Sequence, residues 1–108
     1  MRSKEVTIFQ LGTSGDSIQC VRSELVRLGI VVNVQQELSK KIPTGAVLFV
    51  FPDDQNNGSL SLYAQLNNRG VEQECMFFLC LNGTFEENRE SAFVIAKTIF
   101  NFVMGITA

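Results

Sequence analysis

The chemistry-bearing residues of this chain gather in a few short stretches. Gly12-Thr13-Ser14-Gly15-Asp16-Ser17 follows an apolar run and precedes an amphipathic one. Gly12 and Gly15 would let the backbone approach a bound group closely, and Thr13, Ser14 and Ser17 offer hydroxyls. A following helix would add free N–H groups and a partial positive charge, the elements of an anion site. Asp16 opposes this, because its carboxylate repels a phosphate unless it turns back to cap the helix. An ordinary Gly-Ser turn with helix caps is the competing interpretation. Asp53-Asp54 is a second feature, a carboxylate pair after an apolar run, of a type common in solvated loops. Asn82-Gly83-Thr84 is a third. The expected ligand-binding set is Gly12, Thr13, Ser14, Gly15, Ser17, Asp53 and Asn82, with no catalytic or metal-ligating residue assigned.

Composition narrows the chemistry. The 108 residues include no His, which excludes His-based triads and the usual zinc sites. The three Cys, at 20, 75 and 80, do not read as a secreted disulfide framework. In a single strand Cys75 and Cys80 would face opposite sides and could not pair. A net charge of −2, with Lys40-Lys41 as the one basic pair, argues against nucleic acid as a partner. No apolar run reaches the ~18 residues of a membrane span. Glu5 and Gln10 interrupt the first apolar stretch, so no signal peptide is expected. A reducing, cytoplasmic setting fits these features. Asn57-Gly58-Ser59 and Asn82-Gly83-Thr84 match the glycosylation sequon, but in that setting they predict Asn-Gly turns.

The elements that must position these residues follow from periodicity. Residues 5–11 predict a buried strand. Ile18, Val21, Leu25 and Leu28 make one apolar stripe over 17–28, a helix capped by Asp16 or Ser14 and ended at Gly29. Residues 30–34, rich in β-branched side chains, predict a second strand. Residues 37–42 allow about a turn of helix before Pro43 and Gly45. Residues 46–51 are almost continuously apolar, as in a parallel strand buried on both faces. Helix 59–69 follows, with Ser59 as cap, an inner face of Leu62, Tyr63 and Leu66, and Gly70 at its end. Residues 75–81 form another continuous apolar strand. Thr84 and Glu87 fit a capping box for a helix over 85–104.

The alternation implies one α/β domain over 1–108. It is a three-layer, flavodoxin-like sandwich with a parallel sheet of order 2-1-3-4, four strands with room for a degenerate fifth. In this order ligands bind between the carboxyl ends of strands 1 and 3. That is where the 12–17 and 52–58 loops meet. Helix 85–104 is apolar around much of its circumference. Phe93, Phe100 and Met104 lie off its main stripe, so they serve either deep burial or a homodimer or protein-partner face.

Three resemblances accompany this reading. The Gly12–Ser17 stretch resembles the flavodoxin phosphate loop, Thr/Ser-x-Thr-Gly-x-Thr. Ser14, Gly15 and Ser17 match it and Gly12 departs from it. That resemblance implies FMN or another nucleotide as cofactor, although the chain has no Trp and a single Tyr, Tyr63. In length and layout the chain is similar to sugar phosphotransferase IIB proteins, whose phosphorylated Cys has no counterpart at Leu11-Gly12-Thr13. Residues 6–42, with Val47–Phe51 and the helix carrying Gln65, resemble TIR-type domains. Enzymatic TIR members carry a Glu where Gln65 stands, so this resemblance implies an interaction module and not an NAD-cleaving enzyme. The leading expectation is a binding or signalling module that holds a phosphate-bearing ligand or nucleotide without catalysis. The alternatives are a reduced flavodoxin-like FMN or nucleotide enzyme, and a TIR-like adaptor dimerising through its last helix.

Overall fold

The apolar stretch beginning at Ala46 forms the inner strand of a parallel sheet, and six of its residues, Ala46 to Phe51, are buried. The computed structural model describes residues 4–12 and 15–105. In chain order the elements are β1 (Glu5–Gln10), α1 (Gly15–Arg27), β2 (Val31–Gln35), β3 (Ala46–Pro52), α2 (Asn56–Asn68), β4 (Met76–Leu81) and α3 (Phe85–Met104). The sheet has four parallel strands in the order β2-β1-β3-β4, and no fifth strand forms among the described residues.

Alternation along the strands divides the core in two. Val6 and Ile8 of β1, with Leu48 and Val50 of β3, face α1 and α3. They meet Ile18, Val21 and Leu25 of α1 and Ala92, Ala96, Ile99 and Val103 of α3. Phe9, Val47, Phe49 and Phe51 face the other way, against Leu66, Leu62 and Tyr63 of α2. Phe49 stacks on Phe9 with centroids 5.7 Å apart and on Phe78 at 5.0 Å. The two helical crossovers, β1-α1-β2 and β3-α2-β4, therefore cover opposite faces, giving three layers.

Several local expectations shift. Helix α1 begins at Gly15, so Asp16 lies inside its first turn and does not cap it. Ser14 is outside the described residues. Gly29 ends the helix in the left-handed region at φ 86°. Residues 37–42 form no helix, because the short span between β2 and β3 must return to the start of β3 before a turn can close. Helix α2 begins at Asn56, so Asn57 and Gly58 are helical and not a turn. Ser59 is buried and donates to the Asn56 carbonyl at 2.8 Å, bonding back along the helix where a cap was expected. Cys75 lies in a short 3-10 turn (Gln73–Cys75) before β4, so it is not a strand partner of Cys80. Helix α3 keeps its expected bounds, with Thr84 and Glu87 closing a full capping box.

Two substitutions test this core. Phe49→Ala should cost about 3–5 kcal/mol in denaturant unfolding, because a fully buried ring with two stacked partners is removed. Gly45→Ala should also destabilise, since its Cβ would collide with the Glu5 carbonyl oxygen. A wild-type unfolding midpoint for Gly45→Ala would contradict the close approach of β1 to the start of β3.

Candidate functional site

The carboxyl ends of β1, β3 and β4 open on one edge of the sheet, and a cleft of about 340 Å³ lies there. Its walls are Gly12, Asp16, Ser17, Pro52, Leu81, Phe85 and Asn88. Each wall has a simple origin. Leu11 donates its N–H to the Val50 carbonyl at 2.9 Å, which carries β1 pairing to the brink of the cleft. Gly12 then turns the chain at φ 65°, a conformation that favours glycine. A Cβ at this position would also press on the Gln55 side chain at 3.3 Å. Pro52 and Leu81 are the last residues of β3 and β4. A second hollow, lined by Gln10, Leu11, Gly12, Gln36 and Gln55, shares Gly12 with the first.

Two helix N-termini meet at the cleft. Asp16 and Ser17 come from the first turn of α1, and Phe85 and Asn88 from the first turn of α3. Unsatisfied N–H groups at such termini carry partial positive charge. On α3 they are partly occupied: the Thr84 hydroxyl accepts from the Glu87 N–H at 3.2 Å, and the Glu87 carboxylate accepts from the Thr84 N–H at 3.1 Å. Asn88 clasps the preceding turn. It accepts from the Gly83 N–H at 3.1 Å and donates to the Gly83 carbonyl at 3.2 Å. Among the described residues Asp16 is the only charged one in the wall, so α1 offers the cleft both a favourable dipole and an opposing carboxylate.

The expected site residues are only partly brought together. Gly12 and Ser17 line the cleft, and Gly15 opens α1 beside it. Thr13 and Ser14 lie outside the described residues. Asp53 and Asn82 sit at the same edge but not in the wall. The Asp53 carboxylate accepts from the Cys80 thiol at 3.5 Å, and burial together with this bond pushes the thiol above its ordinary value. That shift makes Cys80 a poor thiolate nucleophile. Gln65 lies exposed on α2 and donates to the Ser61 hydroxyl at 3.3 Å. Phe85 and Asn88 were not anticipated. The signal for them was available: the Thr84–Glu87 capping box fixes the first turn of α3, and residues three apart on a helix share a face.

The capping box makes the site's edge sensitive to acid. The Thr84 backbone N–H and hydroxyl hold the Glu87 carboxyl below its ordinary value of 4.5. A lowered carboxyl contributes stability above its unfolded value and loses it as pH falls through the folded one. The Thr84 amide resonance should therefore move in a titration below about pH 4.5, the ordinary glutamate value. In Glu87→Gln, which keeps an accepting oxygen but cannot ionise, that titration should disappear.

No family model matches the chain, and no curated protein matches it in sequence. Its fold is similar to that of the hypothetical protein MJ1247 from Methanococcus jannaschii, at 14% identity and a TM-score of 0.55. The match covers 96% of this chain and 71% of that one. For MJ1247, the crystal structure infers a molecular function of 3-hexulose-6-phosphate isomerase. At this identity the likeness is one of fold: a parallel α/β sheet in a flavodoxin-like layout, sandwiched between helices.

Proposed function

We propose that this protein is a small binding module that takes a phosphate-bearing metabolite, a sugar phosphate or nucleotide, in the cleft between Gly12, Ser17 and Asn88. The observation that carries the reading is the convergence of two helix N-termini on one cleft at the switch point of the sheet. The inferred activity of MJ1247 on a phosphorylated sugar agrees with it. Backbone N–H groups of the β1–α1 turn would hold the phosphate, with Thr13, Ser14 and Ser17 adding hydroxyl donors. Asp53 and Asn82 belong to an outer rim that meets the rest of the ligand. In this reading the module binds without catalysis, in a reducing, cytoplasmic setting.

Titration of labelled protein with inorganic phosphate, fructose 6-phosphate, FMN and NAD tests the reading. The amides of Gly12, Gly15, Asp16 and Ser17 should shift with at least one of them. If none of the four ligands moves these amides, the reading fails. Asp16 gives an independent check. Asp16→Asn removes the opposing charge and should tighten phosphate binding by up to about fivefold. It should also cost α1 about 0.3–1 kcal/mol of favourable dipole interaction, lowering the melting temperature slightly.

A further inference from the structure

We propose that the free edge of β4 and the outer stripe of α3 are a self-association surface, on which a second copy of this chain pairs antiparallel, β4 to β4. This is independent of the phosphate reading.

The first ground is the strand itself. Residues 76–81 (Met, Phe, Phe, Leu, Cys, Leu) have the composition of a strand buried on both sides, yet β4 is the last strand of the sheet. No charge, proline or bulge guards it, the usual devices against edge pairing. Phe78 remains 39% exposed. The free backbone groups can be located. Leu11 bonds to Val50, so the even residues of β3 face β1 and Val47, Phe49 and Phe51 face β4. The β3–β4 register then turns Phe77, Leu79 and Leu81 inward and leaves the N–H and C=O of Phe78 and Cys80 pointing out. A two-fold axis at Leu79 sets Phe78 opposite Cys80 of the second copy, and the N–H and C=O groups of both residues find partners.

The second ground is α3. Its outer side borders an apolar groove of about 420 Å³ lined by Leu79, Glu87, Glu90, Ser91, Val94 and Ile95, with Val94 67% exposed. Glu90, Val94 and Lys97 recur at i, i+4 and i+7, one stripe that is acidic toward its N-terminal end and basic toward the other. Antiparallel pairing brings Glu90 of one copy toward Lys97 of the next, and opposes the helix dipoles. The spacing also agrees. Each helix of a parallel α/β layer covers about two strands, so continuing the sheet across β4 separates the two α3 axes by about 9.6 Å, close to the ~8–10 Å of packed helices.

The experiment is sedimentation velocity with hydrogen exchange on the whole chain, over concentrations reaching on the order of 100 µM. The expected result is a dimer of twice 12.0 kDa in which the Phe78 and Cys80 amides exchange more slowly as concentration rises. Val94→Glu and Lys97→Glu, both at exposed helix positions, should each weaken the dimer by about tenfold or more. Glu90→Lys combined with Lys97→Glu should restore it to within about threefold of wild type. Val34→Lys, at the opposite edge of the sheet, should leave it unchanged. A monomer throughout, or a dimer lost in Val34→Lys and retained in Val94→Glu, would overturn the proposal. Circular dichroism of each variant separates lost pairing from lost folding.

Discussion

Burial of β3 on both faces is the constraint from which the rest of the architecture follows. A parallel strand cannot be reached by a tight turn, so each neighbour arrives through a crossover that must lie on one face. The β1-α1-β2 crossover covers one side and the β3-α2-β4 crossover the other. Phe49 shows how closely the layers are tied. Its ring stacks on Phe9 and Phe78 while α2 closes over them with Leu66. With the strand order set, the carboxyl ends of β1 and β3 part in opposite senses, and a cleft at that edge follows from topology.

The economy of the chain shapes its surfaces. The connection from β2 to β3 contains no helix, so α2 stands alone on its face while α1 and α3 pack together on the other. The half of the sheet that a second helix would cover is left to an irregular segment and to exposed side chains such as Val31. At the far edge β4 is followed directly by α3, which returns across the sheet to α1. That return leaves β4 unpaired along one side. The same helix brings its capped N-terminus to the cleft and its Val94 stripe to the open edge. Phe100, grouped by sequence with Phe93 and Met104 as a partner face, instead packs partly against the core. Phe93 and Met104 stay exposed.

The candidate site balances opposing electrostatic terms. Helix termini draw negative charge, and the acidic residues beside them resist it. Asp16 faces the cleft, while Glu87 is absorbed by the capping box and Asp53 by the Cys80 thiol. Carboxylates that looked alike in the sequence therefore do different work. Only Asp16 lines the cleft, and the other two are held by short-range hydrogen bonds.

By itself, the sequence determined the features that depend on near neighbours in the chain. Apolar runs and β-branched stretches marked the strands, and the 3.6-residue period marked the long helices. The uninterrupted apolar run of β3 signalled burial on both faces, and Thr84 with Glu87 placed the start of α3. Gly29 and Gly70 marked helix ends because their left-handed backbone is a local property. The start of α2 differs for a related reason: Asn57-Gly58 favours a turn in isolation, and the helix forms where Ser59 and Leu66 are buried. Tertiary structure alone decided which distant residues meet. It set Gly12 and Ser17 beside Phe85 and Asn88, kept Asp53 and Asn82 out of the wall, and turned Phe100 toward the core. It also made β4, whose composition suits an interior strand, an edge. These outcomes depend on strand order and helix direction, which arise from packing across the whole sheet and leave no mark at any single position in the chain.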